Sequence, residues 1–412
     1  MVFSELLKSH HIFLIVSSQL FSQAWILQIL LSEIFDVPAS IEIGRNTESN
    51  EFYDRTSPFV YGTAYDYKAI ENCATYEGNC SSIDRTKEPY ESCGHVMLEL
   101  WNGAYSPSVT ELVLQNDADP SQSLGVVGEE HWFVPKFTLQ RDNTLSSFHG
   151  LTGQENRQKL ADRFLRPTRW GDYCKEVSEN NCTDDGVAKR PPETPDEENL
   201  FFDENLYIGH FRRTADNDCV TFPDTCTGHF IDFPCGWKRF FLQQAYHLDI
   251  ALKSNGEEDA GGYSYGEMVQ IWRAANWTKS DAVGWWWRPE SLYQEFQGTD
   301  AEFERINLPN PNSQCVNNRI EHENWCGDGD QTYDSAEGTC DNPPIPLQKL
   351  VSTGLYTLVH QEESEAKQSP AYDVISQFTI STYELEEIFS NWGATNTTDE
   401  FGYNARNAVC QW

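Results

Sequence analysis

Read for apolar and polar positions, the chain opens on an unbroken apolar run, Ile12-Phe13-Leu14-Ile15-Val16. Such a run suits a short parallel strand buried on both faces. Phe21 to Phe35 follows, apolar on nearly all sides and long enough for a helix. Pro38 breaks it, and Ile41-Glu42-Ile43 resumes as a strand. The pattern predicts a β-α-β unit at the head of an α/β domain. Residues 44–93 are polar, aromatic and cysteine-bearing, and read as loop. His95 to Trp101, HVMLELW, predicts another buried strand ending in an acidic-aromatic pair, Glu99 and Trp101. Residues 102–125 read as a crossing segment, and His131-Trp132-Phe133-Val134-Pro135 opens a second region.

Gln154 to Leu165 predicts an amphipathic helix stopped before Pro167. Residues 184–200, with Pro191-Pro192 and many acids, read as a surface insertion. Pro234-Cys235-Gly236-Trp237 leads into a helix expected to run through Leu252. Ser264 and Glu267 fit a capping box, with Met268, Ile271, Trp272 and Ala275 on one face behind it. Ala282 to Trp287 predicts a short strand, and Pro289 the first turn of a helix with Leu292, Tyr293 and Phe296 inward. Residues 309–346 read as Asn-, Pro- and Cys-rich loop. Ser381 and Glu384 form another capping box before the stripe Leu385, Ile388, Phe389, Trp392, which Gly393 closes. This order predicts two lobes: residues 12–110 with 350–412, and residues 125–340. The second would carry Cys-rich insertions at 174–235 and 310–340.

Length supports two lobes, since 412 residues exceed what one compact core accommodates. Hydrophobic content of 39% with 13% aromatic residues is that of a globular chain. A net charge of −35 argues against nucleic acid and anionic membrane surfaces as partners; it reads first as high solubility and is compatible with high-salt surroundings or a cationic or zwitterionic ligand. The 12 cysteines fall in short-range clusters without a C-x-x-C pair, which argues against a zinc site. Four sequons accompany them, Asn79-Cys80-Ser81, Asn181-Cys182-Thr183, Asn276-Trp277-Thr278 and Asn396-Thr397-Thr398. Together they indicate an oxidising compartment, extracellular or at the cell surface. The cysteine pairing stays open at this point. Met1 to Phe35 is interrupted by Lys8, His10, His11 and several Ser and Gln residues. It therefore makes a poor secretory leader and a poor membrane span. It reads as folded structure, with any leader upstream and the chain a piece of a longer protein.

Candidate chemistry centres on Trp285-Trp286-Trp287, followed by Arg288 and Pro289. Alternation along a strand puts Trp285 and Trp287 on one face and Trp286 on the other. Trp287 ends the strand, and open α/β sheets bind ligands beyond the carboxyl ends of their strands. A cleft role for Trp287 and a core role for all three rings are equally open on this reading. At Cys235-Gly236-Trp237, free amides at a helix start would suit an anionic group and the Trp237 ring a cation. A disulfide-anchored turn is the competing reading there. Trp132 is a further candidate aromatic. Glu99, Glu129 and Glu130 could supply paired carboxylates for glycoside hydrolysis, with tryptophans as sugar platforms. A secreted carbohydrate-binding protein or glycosidase is thus the alternative function. No H-E-x-x-H or Walker pattern is present. Asp328-Gly329-Asp330 begins like a calcium loop, but Tyr333 stands where glycine is needed. The expectation is a binding protein with no catalytic residue, no metal and no cofactor.

Three segments carry a family resemblance. Pro234-Cys235-Gly236-Trp237 and the helix after it resemble the P-P-G-W-G stretch of glycine betaine/choline-type ABC transporter substrate-binding domains. Trp285 to Tyr293, WWWRPESLY, is similar to the W-x-P-H-W segment of that family. Ser369-Pro370-Ala371-Tyr372 through Phe389 resembles its late return helix. The segments occur in the family's order across residues 12–110, 125–300 and 350–392. The resemblance implies a two-lobed type II periplasmic-binding-protein-like α/β fold with a ligand cleft between the lobes. It implies a small quaternary ammonium or zwitterionic amine held in a tryptophan cage. Trp237 and Trp287 are then cage walls, Trp101 a third, Gly236 a backbone contact and Glu99 an anion that offsets the cation. A membrane receptor or transporter module would be the partner. Glu290 departs from the pattern, because the family has histidine there, and a glutamate would repel a ligand carboxylate. Each desolvated cation–π wall contributes about 2 kcal/mol. Three walls give roughly 6 of the about 8 kcal/mol that micromolar binding requires, so another polar contact is needed.

Overall fold

The computed structural model describes residues 12–16, 21–43, 67–75, 93–101, 107–167, 202–203, 206–207, 211–233, 240–254, 256, 262–263, 265–318, 339–357, 370–394 and 405–412. The main strands, in chain order, are β1 (Ile12–Val16), β2 (Ala39–Ile43), β3 (Val96–Leu100), β4 (Ala118–Pro135), β5 (Gly228–His229), β6 (Leu252–Lys253), β7 (Gly284–Arg288), β8 (Phe303–Arg305) and β9 (Ile345–Ser352). The chain forms two compact units. One comprises Met1–Glu129, Arg288–Glu295 and Pro344–Trp412, the other Glu130–Trp287 and Phe296–Pro343.

In the first unit β1 pairs parallel with β2 and with β3, so the opening β-α-β unit forms as its apolar pattern predicts. β9 then runs antiparallel between β3 and β4. The helix after β1 is regular over Phe21–Ile29 and continues as a π-turn over Leu30–Ile34. Val96 and Leu98 of β3 pack with Leu27, Leu124, Val126, Ile375, Leu385 and Ile388 in one apolar cluster. Met97 and Leu100 join a second with Ile70, Val109 and Leu112. The strand thus contributes to two apolar clusters, as a fully buried strand requires. The expected crossing segment 102–125 is more structured than its composition indicates, holding helix Pro107–Leu114 and the start of β4.

The late helix Thr382–Ala394 begins at the predicted capping box. The Ser381 amide donates to Glu384 Oε2 at 2.8 Å, and the Glu384 amide donates to Ser381 Oγ at 3.2 Å. Leu385, Ile388 and Phe389 are buried, and Gly393 lies inside the last turn instead of ending it. Lys349 of β9 is fully buried. Its ammonium donates to the carbonyls of Ile375, Ser376 and Phe378 at 2.7, 3.1 and 2.6 Å. It closes the C-terminal end of helix Pro370–Gln377, where a positive charge meets the negative pole of the helix. Burial pulls its pKa down to about 8.

In the second unit β8 runs antiparallel to the end of β4, and β5 pairs parallel with β6. β7 bridges Ile231, whose amide donates to Val283 O at 2.9 Å. Met268, Ile271, Trp272 and Ala275 on helix Tyr265–Thr278 are all buried, as the face predicted. Ser264 of the expected capping box lies outside the described residues. The helix expected to reach Leu252 spans Phe241–His247 and gives way to β6. The expected loop 309–346 contains a short helix, Ser313–Asn317, and the first residues of β9. Disulfides Cys219–Cys226 and Cys315–Cys340 close loops inside two of the cysteine clusters.

Candidate functional site

The residues singled out by sequence divide between the two units. In the first, Glu99 and Trp101 stand at the carboxyl end of β3, one residue apart on either side of Leu100. The Trp101 indole Nε1 donates to Glu99 Oε1. Its six-membered ring lies over Gly128 of β4, where a Cβ would overlap it. Glycine at 128 is therefore the condition for this ring position. Glu99 is 5% exposed, and its second oxygen, Oε2, has no hydrogen-bond partner among the described residues. Burial raises its pKa to about 8, and the Trp101 hydrogen bond opposes that rise. At neutral pH the carboxyl is accordingly held mainly as the acid. Among the described residues one oxygen of this buried group thus stays without a partner, which a folded protein normally avoids.

Arg288 and Glu129 form an ion pair in the same unit, with Arg288 Nε and Nη2 at 2.9 and 2.8 Å from Glu129 Oε2. The guanidinium stands 5.8 Å from the Tyr293 ring centroid. Burial raises the pKa of Glu386, with Arg288 opposing the rise and Glu129 adding to it. Among the described residues two carboxyls and the Arg288 guanidinium therefore share this place, and that cation is already matched.

Glu290 has a different role from the one its position in the motif implies. It is fully buried, and its Oε2 accepts from the amides of Leu292 and Tyr293 at 2.8 and 3.2 Å. Its Oε1 accepts from Ser291 Oγ at 2.7 Å. It caps helix Ser291–Phe296, which starts two residues after Pro289 and not at it. An acidic side chain suits that end of a helix.

In the second unit the three consecutive tryptophans lie within an aromatic core. Trp285 and Trp287 share a face, with ring centroids 5.0 Å apart. Trp286 meets Phe303 at 6.0 Å and Trp272 at 6.5 Å. Trp287 is 3% exposed and stacks on Trp286 at 4.5 Å. Trp132 is 1% exposed, packed on Phe230 and Phe241 at 4.6 and 5.4 Å, with its Nε1 donating to Gln244 Oε1 at 3.0 Å. Gly236 and Trp237 lie outside the described residues.

The same unit holds polar groups that sequence reading passed over. His131 Nδ1 stands 2.9 Å from Asp341 Oδ1, and Arg305 Nη2 donates to Asp341 Oδ2 at 2.7 Å. His229 Nε2 stands 2.8 Å from the Tyr263 hydroxyl. These residues are far apart in sequence with no ligand-like spacing, so nothing in the linear order signalled the pairs. No group of three or more potential metal ligands occurs among the described residues. No helix among them is long and apolar enough to cross a membrane.

No protein-family profile and no curated protein sequence matches the chain. Among solved structures it is similar in arrangement to lactococcal OpuAC in its closed-liganded conformation with glycine betaine. That match has 10% identity and a TM-score of 0.43, covering 98% of this chain and 94% of that one. An ABC-transporter choline binding protein in complex with choline matches at 8% identity and a TM-score of 0.44, over 98% and 88% of the two chains. ProX, a glycine/betaine/L-proline-binding protein from Borrelia burgdorferi, matches at 10% identity and a TM-score of 0.45, over 97% and 91%. These proteins are of the class whose motifs the sequence resembles. At such identities the matches define no residue correspondence.

Proposed function

We propose that the chain is an extracellular solute-binding module for a small quaternary ammonium or zwitterionic amine, and that it performs no catalysis. The observation that carries this reading is the Glu99–Trp101 pair. A buried carboxyl with one unpartnered oxygen is bonded to a half-buried indole that rests on a glycine. An organic cation is the ligand for which that pair has both parts: a ring face and a carboxyl that becomes an anion once it gives up its proton. Trp237 and Gly236 remain a ring wall and a backbone contact implied by the sequence resemblance alone, whereas Trp287 is packed on Trp285 and Trp286 in the core of its own unit. Trp132 is the weakest member, since its ring and its Nε1 are occupied by neighbours in its own unit.

The chemistry of the pair adds a condition. With a pKa of about 8, Glu99 must give up its proton before it can balance a cation. At pH 7 that costs about 1.4 kcal/mol, one pKa unit's worth. Capture of a cation therefore releases a proton. Glu290 no longer weighs against a ligand carboxylate, because its own carboxylate is turned to the amides of its helix.

The test is a tryptophan-fluorescence titration with choline, glycine betaine, carnitine and a panel of oligosaccharides. Trp101→Ala should weaken quaternary-amine binding tenfold or more, since about 1.4 kcal/mol is a factor of ten. Binding of oligosaccharides alone, or unchanged amine affinity in Trp101→Ala, would remove this reading.

A further inference from the structure

In the first unit, Ser22 Oγ, Gln23 Oε1, Gln23 Nε2 and Glu99 Oε2 are buried and have no hydrogen-bond partner among the described residues. Ser22 and Gln23 are fully buried in the first turn of helix Phe21–Ile29. Buried polar groups are normally satisfied, so exceptions that gather in one place call for a cause. We infer that Gln23 and Ser22 receive the hydroxyl of a hydroxylated quaternary amine and select it over a carboxylated one. The inference rests on the function proposed above and narrows its ligand.

Topology brings these groups to one edge of the sheet. β1 has β2 on one side and β3 on the other, both parallel to it. The chain leaves β1 for β2 and returns past it to β3, so the strand order reverses between β1 and β3. Open α/β sheets take ligands at such a reversal, beyond the carboxyl ends of the strands. Leu14 pairs with Val96 and Ile15 with Met97, so Glu99 lies one residue beyond the level of Val16, where β1 ends. Helix Phe21–Ile29 is the next element after that end. Gln23 stands three and four positions before Ile26 and Leu27, and so shares their stripe of the helix. Ile26 and Leu27 pack with Val96 and Leu98 of β3, and Trp101 packs against the same cluster. Gln23 and Trp101 therefore border one apolar cluster, from its helix side and its strand side.

The donor and acceptor inventory selects the ligand's second group. A carboxamide has N–H donors at one atom and a carbonyl acceptor at the other, and a serine hydroxyl both donates and accepts. A ligand hydroxyl can donate to Gln23 Oε1 and accept from Gln23 Nε2 or Ser22 Oγ, so both ends of the carboxamide are used. A ligand carboxylate only accepts. It would leave Gln23 Oε1 buried against a negative charge, and Glu99, once ionised to balance the cation, would add a second. An alkyl arm would leave all of these atoms unmet, which a buried site penalises.

The test is titration of the full chain with choline, propyltrimethylammonium, tetramethylammonium and glycine betaine at neutral pH. Propyltrimethylammonium carries a methyl where choline has its hydroxyl. Choline should bind at least about tenfold more tightly than propyltrimethylammonium or glycine betaine, the worth of a hydrogen bond whose loss leaves a buried partner unmet. Gln23→Leu should abolish that preference and leave tetramethylammonium affinity unchanged, and Ser22→Ala should reduce the preference in the same way. Wild type that binds propyltrimethylammonium as tightly as choline overturns the inference, with no variant needed. So does a choline preference kept in both Gln23→Leu and Ser22→Ala. If tetramethylammonium binds and depends on Trp101 while the hydroxyl adds nothing, this inference falls alone. If no quaternary amine binds, the proposed function falls with it.

Discussion

Glu99 shows how far one residue can be displaced from its ordinary chemistry by its surroundings. In water its carboxyl would ionise near pH 4.5, and burial moves that to about 8. Between those values the native state holds a proton that the unfolded chain has released. The contribution of this group to stability is therefore complete below pH 4.5 and is lost as pH rises through 8. Glu99→Gln keeps the shape and removes the ionisation. The substitution should raise the melting temperature at pH 8 and leave it nearly unchanged at pH 4.5, as thermal scans across that range would record. A gain of equal size at both pH values would mean that Glu99 is not the titrating group. The proximity of an acid and an aromatic at the end of HVMLELW was legible in the sequence, because it lies within three residues. The protonation state was not, because it arises from desolvation by elements remote in the chain.

Among the elements, helix Ser291–Phe296 illustrates a local device mistaken for ligand chemistry. Glu290 was legible only as an odd residue in a motif, whereas its neighbours in space make it a cap. Glu290→Ala leaves two amides at a buried helix start without acceptors, and should cost about 1–2 kcal/mol. Chemical denaturation measures this directly. A loss near zero would mean that the cap is dispensable. Elements with strong local signals formed where the sequence put them: the apolar strand at Ile12–Val16, the face of Met268, Ile271, Trp272 and Ala275, and the Ser381–Glu384 box. Those that were misread depend on distant partners. The early part of β4 is a polar, Gly-containing stretch whose strand state comes from pairing with β9. The helix expected to reach Leu252 stops at His247 because Leu252 and Lys253 pair with Gly228 and His229.

At the scale of the whole molecule, two features stand out: covalent loops and a net charge of −35. The Cys315–Cys340 bond closes a separation of 25 residues. It lies beside Asp341, which engages His131 and Arg305, and Gln244 Nε2 donates to the Cys340 carbonyl at 2.8 Å. Cys315→Ala with Cys340→Ala should cost the second unit about 2–4 kcal/mol. Hydrogen exchange at the amides of β8 and helix Phe241–His247 should accelerate accordingly. Unchanged protection there would show that the bond contributes nothing to this unit. On the proposed function the charge bears on the ligand, because the field of an acidic molecule favours approach of a cation and weakens with salt.

The most direct measurement of the central claim is calorimetry of choline and glycine betaine binding at pH 7, in two buffers of different ionisation enthalpy. The account predicts saturable binding with release of about one proton per cation, since a carboxyl with a pKa near 8 is mostly protonated there. The release should fade by pH 9.5 and disappear in Glu99→Gln, with weaker affinity. Absence of binding by any quaternary amine at millimolar concentration would contradict the account. So would binding whose heat is the same in both buffers and unchanged in Glu99→Gln.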